Sequence, residues 1–240
     1  MNRYKDEIIN DVIDLYEEVM FGIEKKALNS KDRAYGGVLR NKKGSLLEKI
    51  AKMLVIGSWE VILGRSSKRI KFGTSKFKVP IKREYLETLE NENISNYIKK
   101  NINDFYYNIG IDLHVYVDEN FVLGVECKNY TENAMMKRVL FDMKLINQAT
   151  GLNNFILLQL ESQLGGDYHE LKPLEETIGS SSTRTLLSHF NIEPRIITLL
   201  EGKRKVSEPI HKEKYQKELK YENVERALHY FADILEDVKV

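Results

Sequence analysis

The chain has 240 residues, 42% of them apolar and 30% charged, which excludes disorder, collagen-like repeats and a coiled coil. Its 37 basic and 36 acidic side chains leave a formal net charge of +1, so any attraction for nucleic acid must come from local clustering. A single cysteine excludes an internal disulfide, no apolar run approaches the roughly 18 residues of a membrane span, and the N-terminus shows no signal-peptide pattern; a protein of the reducing cytoplasm, with no membrane partner, is expected.

The first predicted element is an amphipathic helix, with Ile8, Ile9, Val12, Ile13, Leu15, Tyr16, Val19 and Met20 at helical spacing. Ala34-Tyr35-Gly36-Gly37 reads as a turn, and a second helix is expected to begin near Gly44-Ser45 and run through Leu46, Leu47, Ile50, Met53 and Leu54. Between Val61 and Arg83 there is no acid and there are eight bases, with Phe72 and Phe77 interleaved. That asymmetry fits a surface that tracks phosphates, with Lys68, Arg69, Lys71, Lys76 and Lys78 as contacts; the alternative is an ordinary solvated loop. Residues 84–101 return to a helical, mixed-charge pattern.

Ile111, Leu113, Val115 and Val117 alternate with Asp112, His114, Tyr116 and Asp118, and after Glu119 the alternation resumes at Phe121, Leu123, Val125 and Cys127. The spacing predicts a hairpin with one apolar and one polar face. A helix is expected from about Glu132 to Gln148, closed by Thr150-Gly151, then a buried strand over 155–160. Ser180 to Thr183 read as a helix entry, 195–200 as a strand, and the chain after about Lys214 as helix, with Val224, Leu228, Phe231 and Leu235 as either core or dimer surface. The expected fold class is α/β (α+β), a mixed central sheet flanked by helices.

If the hairpin turn is centred on Glu119, Asp112 faces Glu126 across the strands, and Lys128 falls on the same face beside Gly110. Adjacent carboxylates repel unless a cation lies between them, and a hard divalent ion resolves the conflict: Mg²⁺ accepts two carboxylates and the backbone carbonyl of Cys127. Such an ion lowers the pKa of a bound water and neutralises charge developing on a phosphate; Lys128 is expected to orient or help deprotonate that water and to add a point charge to the transition state.

Asp-x13-Glu-x-Lys across a hairpin resembles the catalytic core of the PD-(D/E)xK nuclease superfamily, and its surroundings are most similar to a type II restriction endonuclease. The resemblance implies a restriction-endonuclease-like core with helical additions, Mg²⁺ with Mn²⁺ as substitute, and cleavage of both strands of double-stranded DNA by a homodimer. It assigns metal binding to Asp112 and Glu126, catalysis to Lys128, and to Glu48 the helical glutamate found in some members. Ile111 stands where the name-giving proline would be. One endonuclease domain over 1–240 is expected, with N-terminal helices over 1–60, a basic loop region over 61–83, the catalytic core over 109–160 and a C-terminal strand and helices over 180–240.

Other readings stay open. The three polar hairpin residues could form a solvent face, Ser45-x-x-Glu48 could be a capping box, and Ser180 to Thr183 a plain N-cap. Cys127 alternates onto the apolar face as a core thiol, and His114 receives no role. Lys137, Arg138 and Arg184 are further candidate DNA contacts. A repair or recombination nuclease that reads DNA structure, and a non-catalytic DNA-binding protein, are the competing functions.

Overall fold

A mixed five-stranded sheet runs through the protein, which a computed structural model describes over residues 2–27, 33–165, 179–192, 194–210 and 212–238. In spatial order its strands are β1 (Ile70–Gly73), β4 (Leu113–Val117), β5 (Asn120–Thr131), β6 (Phe155–Ser162) and β7 (Arg195–Thr198). β1, β4 and β5 pair antiparallel, whereas β5, β6 and β7 pair parallel. Two further strands, β2 (Phe77–Pro80) and β3 (Tyr106–Ile109), form a separate antiparallel ribbon. The helices are α1 (Asn2–Ala27), α2 (Arg33–Gly57), α3 (Arg83–Glu87), α4 (Glu92–Lys100), α5 (Asn133–Thr150), α6 (Ser181–Ser188) and α7 (Tyr221–Glu236).

Both faces of the sheet are covered. Leu113, Val115, Val117, Leu123, Val125, Ile156 and Leu158 pack against α1, α2 and α7 on one side. Phe155 and Leu157 meet α5 on the other, whose Met136, Val139, Leu140, Met143 and Ile146 repeat at helical spacing on its buried stripe. β6 is consequently buried at all eight positions, as a parallel strand between two helical layers must be. Gly151, at φ 78°, ends α5 in the left-handed conformation.

Several sequence expectations change. Ala34 to Gly37 lie inside α2, which starts at Arg33; glycine weakens a helix without forbidding it. Ser45 and Glu48 are therefore mid-helix, and the capping-box reading falls. Val224, Leu228, Phe231 and Leu235 are fully buried in the protein's own core, so that face of α7 offers a partner nothing. Ser180 does cap α6, its side chain accepting from the Thr183 N–H at 3.2 Å.

α2 runs into a π-helical turn over Ser58–Ile62, in which the Leu63 N–H bonds the Ser58 carbonyl at 3.0 Å. The turn aims Trp59 into the core and lets Ser58 Oγ donate to the Leu228 carbonyl of α7 at 2.7 Å. Trp59 Nε1 donates to the Ser66 carbonyl at 3.0 Å, and the Arg65 guanidinium lies 4.8 Å from the indole. Arg65 also donates to the carbonyls of Leu235 and Glu236, each at 2.9 Å, satisfying the open end of α7.

Candidate active site

The hairpin ladder pairs Leu113 with Val125 and His114 with Gly124, the register expected for a turn centred on Glu119. Nearer the turn it shifts by one, because Val122 is an extra residue between the Val115–Leu123 and Tyr116–Phe121 pairs. Asp118 and Glu119 form the two-residue connection at φ 47° and 68°, as a type I′ turn requires. The ladder stops at Leu113, and Asp112 lies in a bend beyond it. There its carboxylate accepts the Cys127 N–H at 2.8 Å, taking the place of a further strand residue. Gly110 is not paired with Lys128, because the preceding residues leave for the β2–β3 ribbon.

On this face Glu126 and Lys128 stand two residues apart, and three oxygens converge on one cation. The Lys128 ammonium donates to Glu126 Oε1, lies 3.7 Å from Asp112 Oδ2, and is 3.4 Å from the Cys127 carbonyl oxygen. Two carboxylates and a carbonyl form a hard donor set whose chemistry fits a divalent cation such as Mg²⁺ or Mn²⁺. Among the described residues, no three His, Cys, Asp or Glu side chains group as a metal cage.

Burial pushes the Glu126 carboxyl up; the Lys128 charge offsets part of this, and the Asp112 charge adds to it. Burial alone would lower Lys128, but the charges of Glu126 and Asp112 and the hydrogen bond to Glu126 outweigh it and hold the ammonium above its ordinary value. Both acids thus favour the ammonium form of Lys128. Burial, then the charges of Asp112, Glu126 and Glu48, raise the Cys127 thiol, which sits in the core as its strand position predicts.

These groups line a cavity of about 600 Å³. α2 contributes the half-buried Glu48, the segment after β1 contributes Thr74 and Lys76, and α5 contributes Met135, Arg138, Val139 and Asp142. Asp142 was not foreseen; it shares a helix face with Arg138 and Val139, a spacing readable in the sequence once α5 is placed beside β5. Burial raises its carboxyl, offset in part by Arg138 and Lys128. Ile111, at the proline position, is buried, and a Cβ on Gly124 would lie 3.0 Å from Phe155 and 3.2 Å from Ile111. Glycine there lets the residue before Asp112 pack against the sheet.

The basic stretch divides. Lys76 lines the acidic cavity and Lys78 lies 4.1 Å over the Tyr106 ring. Lys68, Arg69 and Lys71 lie at the turn end of the hairpin, since β1 runs antiparallel to β4 with Ile70 opposite Val117. Arg69 is bidentate to Asp118, with Nε 3.1 and 3.0 Å from its two oxygens, and Lys71 pairs with Glu119. Acids from 48 and 49 residues away therefore neutralise charges that look uncompensated locally. Arg138 pairs with Asp142 at 3.7 Å, Lys137 is exposed on α5 outside the cavity lining, and Arg184 is exposed on α6.

The polar face of the hairpin is not a solvent face. His114 is fully buried, stacked on Phe77 of the ribbon at 4.8 Å and beside Phe121 at 5.1 Å, with Nδ1 3.3 Å from the Tyr116 hydroxyl. Burial holds its pKa below the ordinary 6.5. Above pH 6.5 the imidazole is neutral folded and unfolded and adds no pH dependence. As pH falls below 6.5 the unfolded chain takes a proton that the folded chain refuses, so stability drops until the folded pKa is reached. Chemical denaturation of wild type and His114→Phe from pH 7.5 to 5 is expected to show up to about 1.4 kcal/mol of extra loss per pH unit in the wild type within that window. Parallel pH curves for the two proteins would refute this.

No family model matches the chain. It is 42% identical over 242 residues to the type II restriction enzyme DdeI of Desulfomicrobium norvegicum, a match spanning 99% of this chain and 100% of that enzyme. The chain belongs to the type II restriction enzymes. It is therefore a site-specific deoxyribonuclease, of a class that generally needs a divalent metal. Among solved structures, the native BbvCI A2B2 tetramer is similar with a TM-score of 0.38 and 11% identity, covering 100% of this chain and 92% of that one. Among the described residues no helix is long and apolar enough to cross a membrane.

Proposed function

We propose that the protein is a Mg²⁺-dependent endonuclease of the PD-(D/E)xK kind that cleaves both strands of double-stranded DNA at a specific sequence. The observation that carries this reading is the convergence of the Glu126 and Asp112 carboxylates and the Cys127 carbonyl on a single cation inside a cavity flanked by Lys76 and Arg138. Asp112, Glu126 and the Cys127 carbonyl would hold the divalent ion, which when bound would supply charge neutralisation at the phosphate and activation of water. Lys128 presents its ammonium to the scissile phosphate as the P–O bond to the leaving sugar oxygen breaks and charge accumulates. Glu48, half-buried in the same cavity, orients the attacking water. Lys76, Lys78 and Arg138 receive the DNA backbone beside the site, with Lys68, Lys137 and Arg184 as outer contacts; Arg69 and Lys71 reach DNA only through ion pairs that must open.

Among the described residues there is one such constellation, so cutting both strands calls for a second copy. A homodimer on a symmetric site supplies it. Light scattering of the Ca²⁺ complex should give two subunits per duplex; one subunit on an asymmetric site would exclude the dimer.

Cleavage is expected with Mg²⁺ or Mn²⁺, to give discrete fragments, and to cease in excess EDTA. Ca²⁺, with its larger and looser coordination sphere, is expected to support DNA binding with little cutting. Gel analysis of a defined plasmid tests this. Full cutting in EDTA would remove the metal mechanism, and cuts confined to flaps or junctions would favour a structure-reading nuclease.

A further inference from the structure

The face that carries Glu126 and Lys128 continues onto the next strand. β5 and β6 run parallel, with Glu126 in register with Leu157 and Lys128 with Gln159. Gln159 is fully buried. Its Nε2 donates to Thr198 Oγ1 at 2.9 Å, the hydroxyl of its own register partner on β7. Its Oε1 is buried with no hydrogen-bond partner. A buried amide oxygen without a donor is costly, and the residue that carries this one is the register partner of Lys128 on the adjacent strand, the two backbones about 4.8 Å apart.

Lys128 is the side chain that must move. Its ammonium fills the position assigned above to the divalent ion, and two cations cannot share the oxygens of Glu126, Asp112 and Cys127. Two other carboxylates near it are already paired, Asp142 with Arg138 at 3.7 Å and Glu161, two residues along β6, with Lys217 at 2.8 Å, and Glu48 is assigned above to the water. We propose that Gln159 Oε1 receives the Lys128 ammonium when the divalent ion takes those three oxygens, making Gln159 a positioning residue that sets metal affinity and holds Lys128 for the phosphate. The Thr198 hydroxyl, by occupying Nε2, keeps the oxygen end of the amide turned to the lysine. The inference rests on the metal-dependent reading of the site.

The test is Mn²⁺ binding to the full chain without DNA, followed by electron spin resonance of the free ion. Gln159→Met keeps the volume and removes the acceptor, and is expected to weaken Mn²⁺ binding about 10-fold, the effect of losing an outer-shell partner. Lys128→Ala removes the competing ammonium and is expected to strengthen it. In the Lys128→Ala background, Gln159→Met should leave affinity unchanged, which a merely structural role would not produce. Should the methionine variant fail to fold, Gln159→Asn keeps a buried amide, withdraws the oxygen by one methylene, and is expected to give the same dependence on Lys128. Equal weakening in both backgrounds, or in neither, overturns the proposal. A wild type that binds no Mn²⁺ overturns the metal reading and this inference with it, whereas wild-type binding without coupling to Lys128 overturns this inference alone.

Discussion

Glu126→Gln is expected to slow DNA cleavage roughly a hundred- to a thousandfold, and Asp112→Asn and Lys128→Ala to do the same, with folding retained. Each substitution removes a charge from the one place where three oxygens meet a cation. The isosteric changes leave backbone and packing intact, so the loss belongs to the chemistry. Asp112→Asn needs a second reading, because the Asp112 carboxylate also accepts the Cys127 N–H. Asparagine retains an acceptor oxygen there, so melting temperature should hold while cleavage falls. Single-turnover cleavage with circular dichroism on each variant checks both, and near wild-type cleavage in any one would cancel that residue's assigned role.

Trp59→Ala is expected to cost about 3–5 kcal/mol of stability, the range for truncating a large buried aromatic. Trp59 is completely buried in the π-helical turn that ends α2. The indole also holds the loop carrying Arg65, whose guanidinium satisfies the last carbonyls of α7. Loss of the ring therefore leaves a cavity and loosens the join between α2 and α7. Urea denaturation measures the cost; a loss below about 1 kcal/mol would mean that the surroundings collapse into the space.

Alternation of apolar residues over 111–127 was enough to place the hairpin and the register that sets Asp112 near Glu126. The reason is that side chains repeat every two residues, so only one pairing buries Leu113, Val115, Leu123 and Val125 together. The amphipathic pattern of α5 was equally plain, as was its glycine stop. Properties that depend on what lies across space were not legible. Nothing local indicates that Tyr106 to Ile109 pair with Phe77 to Pro80, or that this ribbon roofs His114. The partners of Arg69 and Lys71 sit in the hairpin turn, so counting charge along 61–83 overstated its field. Glu48 looked like the end of a capping box because the helix around it was expected to start some eleven residues too late, at Gly44 rather than at Arg33.

The extra residue in β5 bears on how this hairpin can change length through descent. Phe121 lies with Tyr116 on the ribbon side, while Val122 and Leu123 both pack on the helical side. Loss of Val122 alone would restore strict alternation between Phe121 and Leu123 and leave Asp112 across from Glu126. Loss of Leu123 would do the same, with Val122 taking its place, whereas loss of Gly124 or Val125 with the bulge kept would turn Glu126 and Lys128 into the apolar layer and bring Cys127 to the cavity. The arm between turn and acid thus tolerates a gap at the bulge, and related sequences that preserve the chemistry should place their length differences there or in the turn.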